Sequence, residues 1–269
     1  MRVLYIAEIV GKAGVFAIKK ALPELKKQKN PDFIIASADG ATGGNGLGRN
    51  HAAYLYKLGA NVITTGDCCF YKKDLTENLD KIPYVLRPYN LNPDAPGIGW
   101  KVFNTSINKK IAVMVLLGQN NFNRIHAASP FTKINAFLEK LGRETPFIFI
   151  DFHAQSSAEK QTLYAMVKGH CSALIGSHCR VQTADEQIQN NTAYITDAGR
   201  TGSSLSVGGC DINSRIKEYL SGIPDWTKEA GDKPELQGVL VDLADDGKAL
   251  SIERIRWPLE EFVNKNQQL

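Results

Sequence analysis

The strongest constraint on this chain is a pattern repeated three times in its first 70 residues: a short apolar run, a glycine-bearing polar loop, and a segment of helical period. Val3 to Ile6 is followed by Gly11 and Gly14, and then by Phe16, Ala17, Ile18, Ala21, Leu22 and Leu25 on a lysine-rich background. Phe33 to Ala36 passes through the turn from Asp39 to Gly46 into Ala52, Leu55 and Leu58, closed by Gly59. Asn61 to Thr65 ends in Gly66-Asp67-Cys68-Cys69. Strand, loop and helix in repeated units of about 30 residues predict an α/β fold with a largely parallel sheet.

The middle of the chain departs from this alternation. Trp100 to Thr105 and Lys110 to Leu117 flank Asn108-Lys109 and read as a hairpin, so a mixed sheet is expected. Helix 131–141, strand 146–151, helix 157–168 and strand 172–176 restore the alternation, and a second hairpin is expected from Leu236 to Leu243 and Lys248 to Ile255. The turn-rich segment from Arg87 to Pro96 is too short for an interdomain linker. Residues 1–269 are therefore expected to form a single domain around one mixed sheet.

Composition narrows the function classes. With 43% hydrophobic and 22% charged residues the chain is ordinary globular material. The formal net charge is +4, and Lys19, Lys20, Lys26, Lys27 and Lys29 read as a solvated helix face, so nucleic acid is not an expected partner. No window approaches the roughly 20 apolar residues of a membrane span, and the first apolar run meets Glu8 too early for a signal peptide. Five cysteines, two of them adjacent, do not resemble a secreted disulfide framework; reduced thiols and a cytoplasmic location are expected.

Ligands of open α/β sheets sit beyond the carboxyl ends of the strands. Five expected strands each deliver a metal-competent side chain there: Glu8, Asp39, Asp67, His153 and His178. Hydrolytic metal chemistry needs such oxygen and imidazole donors on a rigid scaffold. Taken singly, each has a plainer use, a carboxylate as a helix cap and a histidine as a packed side chain. The turn from Gly43 to Gly46 suits positive φ, or it offers N–H groups to an oxyanion, and it lacks the P-loop lysine.

These strand ends carry a resemblance over essentially the full length. The runs are Ile9-Val-Gly-Lys12, Ala41-Thr-Gly-Gly44, Arg87-Pro-Tyr-Asn90, Asp151-Phe-His-Ala154 with Ser157-Ala-Glu-Lys160, Gly176-Ser-His178, Val181-Gln-Thr-Ala-Asp185, and Ala193-Tyr-Ile-Thr-Asp197 with Thr201-Gly202. In order and spacing they resemble the bacterial calcineurin-like metallophosphoesterases, which hydrolyse phosphodiesters, cyclic nucleotides included, at a two-metal site. The resemblance implies the calcineurin-like metallophosphoesterase fold, with mixed sheets flanked by helices, and a homo-oligomer; Phe122, Phe131 and Trp226 offer interface anchors or core residues.

The chain departs from the family in the site itself. The family carries aspartate where this chain has Glu8, glutamate at Asp39, asparagine at Gly40 and Asp67, and histidine at Cys68 and Arg180. By resemblance, the second-metal set survives as Asp39, Asp67, His153 and His178, able to hold one zinc, iron or manganese ion. The first-metal set keeps only Glu8 and Asp39, and a guanidinium cannot ligate a metal. Arg180 is expected to exclude that ion and to pair with Glu8, Asp39 or both. Cys68 stands where the family has its general acid, and a thiol donates a proton less readily than an imidazolium. Two functions are consistent with these residues: a single-metal phosphodiesterase using Arg180, Asp39 and Cys68 on a phosphate-bearing small molecule, or an inactive homologue serving as a binding or assembly module.

Overall fold

The computed structural model describes residues 1–224 and 228–259. In chain order the elements are β1 (Arg2–Ile6), β2 (Glu8–Ile9), α1 (Gly11–Lys29), β3 (Phe33–Ser37), α2 (Arg49–Leu58), β4 (Val62–Thr64), α3 (Lys73–Thr76), β5 (Val85–Leu86), β6 (Trp100–Asn104) and β7 (Lys110–Leu117). They continue with α4 (Ile134–Gly142), β8 (Ile148–His153), α5 (Ser157–Val167), β9 (Ala173–Ser177), β10 (Gln187–Gln189), β11 (Thr192–Ile195), β12 (Arg200–Ser203), α6 (Ile212–Ser221), β13 (Pro234–Leu243) and β14 (Ala249–Pro258).

The strands divide between two sheets, which corrects the expectation of one. The first runs β2-β12-β13-β1-β3-β4-β5 with β14 beside β13, and the second runs β10-β11-β9-β8-β7-β6. Each has a parallel block, β1-β3-β4-β5 and β7-β8-β9-β11, the first with antiparallel β13 on one side and the second with antiparallel β6 and β10 on its two sides. The reason is that the strands are apolar on both faces, so each sheet needs two covers. Val3, Tyr5, Phe33 and Ile35 of the first sheet share a core with Val113, Val115, Phe149 and Ile175 of the second. Tyr5 and Phe149 stack across this seam with ring centroids 5.9 Å apart.

The alternate residues face outward onto helices. Leu4 and Ile6 pack with Ala17, Ile18, Leu22 and Leu25 of α1 and with Ala52 and Leu55 of α2. On the other side Met114, Ile150 and Phe152 pack with Leu138 of α4 and Leu163 of α5. Helix α1 ends at Asn30, whose left-handed backbone returns its N–H to Lys26 O, with three lysines in the last turn complementing the helix dipole. Among the described residues no helix is long and apolar enough to cross a membrane.

Both expected hairpins form, with registers Trp100↔Met114 and Leu236↔Trp257. Helix α4 begins three residues later than expected, and β8 runs two residues further, through His153. Phe131 packs against the outer core of the second sheet; Trp226 lies outside the described residues.

Candidate metal centre

The carboxyl ends of the two parallel blocks meet at one end of the sheet pair, and the five strand-end residues meet with them. Glu8 lies on β2, Asp39 two residues past β3, Asp67 in the loop after β4, His153 at the last position of β8 and His178 immediately after β9. Glu8, Asp39 and His153 are buried at 1 to 2% exposure. Among the described residues two triads place one ligand atom per residue within 4.8 Å of each other: Glu8, His153 and His178, and Asp39, Asp67 and His153. Both draw on His153, so they describe overlapping halves of one centre, with capacity for at most one divalent ion.

The imidazoles are aimed by their far nitrogens. Ser177 Oγ donates to Asp151 Oδ1 at 2.7 Å, which leaves it to accept from His153 Nδ1 at 3.3 Å. His178 Nε2 donates to Gln155 Oε1 at 2.8 Å. In these tautomers Nε2 of His153 and Nδ1 of His178 bear the lone pairs. The two atoms lie 2.9 Å apart and face Asp67 Oδ1 at 2.9 and 3.3 Å. Electron pairs held this close require a proton or a metal cation between them.

The ionisation of the cluster expresses the same demand. His153 is pushed up to about 9: burial opposes its charge, but the Asp67 hydrogen bond and the charges of Asp39, Asp67 and Glu8 outweigh it. Asp39 is pushed up to about 7, first by burial and then by Asp67 and Glu8, against the attraction of His153. Burial also raises Asp67, yet the hydrogen bonds to His153 and His178 hold it below the usual carboxylate range. Asp39 Oδ1 and Oδ2 accept the N–H groups of Gly66 and Cys68 at 2.6 and 2.8 Å, fixing the loop that carries Asp67.

Arg180 fills the opposite side. Its Nε and Nη2 donate to Glu8 Oε1 at 3.0 and 2.7 Å, Nη2 to Gly44 O at 3.0 Å and Nη1 to Gly208 O at 3.1 Å. The turn at Gly43 to Gly46 thus offers a carbonyl to a cation, where its N–H groups had been expected to face an anion. Glu8 Oε2 is buried with no hydrogen-bond partner among the described residues, an unsatisfied acceptor on a residue of the cluster. With four of five N–H groups engaged among the described residues, the guanidinium has one Nη1 hydrogen left, too few for a bidentate clamp on a phosphoryl group.

Both metal triads consist of carboxylates and imidazoles, without sulfur. Cys68 Sγ approaches Asp67 Oδ2 at 3.5 Å, and burial followed by the Asp39, Asp67 and Glu8 charges pushes its thiol far above its ordinary range. Cys69 turns away into a small core with Leu91 and Leu117. Phe122 packs edge-on against His178 at 5.0 Å, one wall of the site. Asn90 donates to Leu117 O and Ala128 O, and so staples the loop that carries Phe122. A cavity of about 390 Å³ opens alongside, lined by Asn45, Asp67, Cys68, His178, Arg180 and Arg215 among others.

Sequence reasoning missed Gln155, Ser177 and Gly66. The first two act through single hydrogen bonds that no local pattern announces. Gly66 is compulsory for packing, since a β-carbon there would lie 2.2 Å from His153 Nε2. Its place just before Asp67 was the available signal.

Comparison with known proteins agrees with this geometry. The family model described as YmdB-like protein matches residues 4–255. A 2',3'-cyclic-nucleotide 2'-phosphodiesterase of Bacillus subtilis is 36% identical over 257 residues, covering 95% of this chain and 96% of that protein. A putative phosphatase/phosphodiesterase of Mycoplasma genitalium is 30% identical over 269 residues, covering 97% and 94%. The crystal structure of a phosphatase from Mycoplasma pneumoniae superposes with a TM-score of 0.89 at 29% identity, over 97% of this chain and 94% of that one. Two stacked mixed sheets, a carboxylate–imidazole centre at their shared edge and full-length similarity to these relatives place the chain in the YmdB-like family of calcineurin-like metallophosphoesterases.

Proposed function

We propose that this chain is a single-domain phosphodiesterase working with one divalent metal, zinc, iron or manganese, held by Asp39, Asp67, His153 and His178, on a phosphodiester such as a cyclic nucleotide. The observation that carries the reading is the pair of imidazole nitrogens 2.9 Å apart and facing Asp67, each with its far nitrogen occupied. A bound divalent ion supplies Lewis-acid polarisation of a phosphoryl oxygen and acidifies a water. The chain's own residues do the rest. Arg180, tied to Glu8 and two carbonyls, holds a fixed positive charge beside the cavity. Asp39 keeps the Gly66–Cys68 loop and therefore Asp67 in place, and Phe122 packs against both imidazoles. The cyclic-nucleotide assignment draws on the name of the Bacillus relative.

A second reading has its own observation. The elevated Cys68 thiol is a poor proton donor and Arg180 is nearly saturated, which favours a catalytically inactive homologue that binds without turnover. Elemental analysis of protein purified without chelator, beside hydrolysis assays of a cyclic nucleotide and a nitrophenyl phosphodiester with added manganese, iron or zinc, separates the two. One equivalent with metal-dependent turnover supports the enzyme. Two equivalents with rapid turnover overturn the single-metal form, and neither metal nor turnover leaves the binding module.

A further inference from the structure

Lys160, on α5, is entirely buried. Its Nζ donates to Asp197 Oδ2 at 2.8 Å and lies 3.4 Å from Cys179 Sγ. A buried ion pair is weak support for stability, because an apolar pair of equal volume often does as well. A fully interior ammonium therefore needs another reason, and Asp197 suggests one. The same Oδ2 accepts the N–H of Cys179 at 2.9 Å, while Oδ1 accepts that of Gly199 at 2.9 Å.

Cys179 stands between two non-glycine residues with left-handed backbone, His178 at φ 90° and Arg180 at φ 60°. Such conformations persist only where their surroundings over-determine them, and they gather at functional sites. From this turn His178 reaches His153 and Asp67, and Arg180 reaches Glu8. The lysine stem also runs along the strand that leads into the turn, its Cδ 3.0 Å from where a β-carbon on Gly176 would lie. Lys160 thus grips the middle of the turn twice, by thiol and by carboxylate, without touching the cluster.

We propose that Lys160, acting through Asp197, is a positioning residue that fixes the His178–Arg180 turn and so the directions of the imidazole and guanidinium in the candidate site. This rests on the phosphoesterase reading for its kinetic consequence only. A charged carboxylate braced by an ammonium is a stiffer acceptor for the Cys179 N–H than a neutral group, and misplacing a catalytic group by an ångström costs about 100-fold in rate.

The test compares Lys160→Met, the charge-free double variant Lys160→Met/Asp197→Asn, and Leu163→Ala, a core truncation on the same helix that controls for lost stability. Histidine-ring NMR of the metal-free proteins reads the turn directly. The expected result is that His178 ring resonances shift or broaden in both Lys160 variants, while those of His170, outside the site, and all those of Leu163→Ala stay in place. In the metal-loaded proteins kcat falls about 100-fold in both Lys160 variants with KM within threefold. Wild-type-like His178 resonances in the folded double variant would overturn the proposal, since the pair would then be a replaceable structural element. Absent turnover in wild type would count against the phosphoesterase reading alone, and the NMR comparison would still decide the positioning role.

Discussion

Arg180 occupies the space that a side chain at Gly40 would need: a β-carbon built there lies 2.8 Å from Nη2 of the guanidinium. Two departures from the family pattern, far apart in sequence, are thus one change in space. Glycine at 40 makes the room, and arginine at 180 fills it with a tethered cation.

The first prediction is that these positions are coupled. Gly40→Asn alone overpacks the site and costs about 1–3 kcal/mol, Arg180→His alone leaves a void, and together they recover at least about 1 kcal/mol of the summed loss. A double-mutant cycle by urea unfolding measures the coupling. Elemental analysis of the double variant should also show more bound metal than wild type, and strict additivity of the two losses would count against the shared space.

Glu8 gives the second prediction. It is 1% exposed and has Arg180 as its ion-pair partner. Arg180→Met strands this carboxylate, and since the guanidinium keeps 18% exposure the loss should lie at the low end of the range for broken buried pairs, about 3 kcal/mol. Adding Glu8→Gln should return most of it. A loss below about 1 kcal/mol in the single variant would mean that water already screens the pair.

A third concerns pH. His153 is raised from 6.5 to about 9, so its contribution to stability is complete below 6.5 and disappears as pH rises through 9. Asp39 is raised from 3.8 to about 7, so the folded state also holds its proton more tightly, and stability falls as pH climbs from about 4 to 7. Asp67, held low, acts in the opposite sense and weakens the fold only as pH drops below its ordinary range. Metal-free protein should therefore lose thermal stability between pH 5 and pH 9. Added divalent metal should displace these protons and flatten the slope, which melting curves with and without manganese will read.

The fourth prediction isolates His153. Gly66→Ala would drive a methyl to 2.2 Å from Nε2, so the ring must swing out of the cluster. Metal affinity should fall by at least about tenfold, with a stability loss of about 1–3 kcal/mol, whereas Gly44→Ala, which meets nothing within 4 Å among the described residues, should leave affinity unchanged despite its strained backbone. Isothermal titration with manganese distinguishes them.

The sequence by itself determined what short-range physics controls. Short apolar runs located β1 and β3 and a 3.6-residue period located α1 and α2, Gly59 marked the end of α2 with φ 114°, and Asn108-Lys109 announced a hairpin whose Asn108 has φ 56°. Strand-end placement also named Glu8, Asp39, Asp67, His153 and His178, because parallel strands deliver side chains to a common edge whatever lies between them. Tertiary structure alone decided that the strands stack as two sheets, since a strand apolar on both faces says only that it is covered, not by what. It alone decided that Glu8 lies within 4.8 Å of both imidazoles, that Gly66 stands aside for His153 and that Lys160 and the N–H beside His178 share one carboxylate, Asp197. These are contacts between residues distant along the chain, set by how layers pack against each other, and no local pattern encodes the distance between two side chains that meet only after the chain has closed.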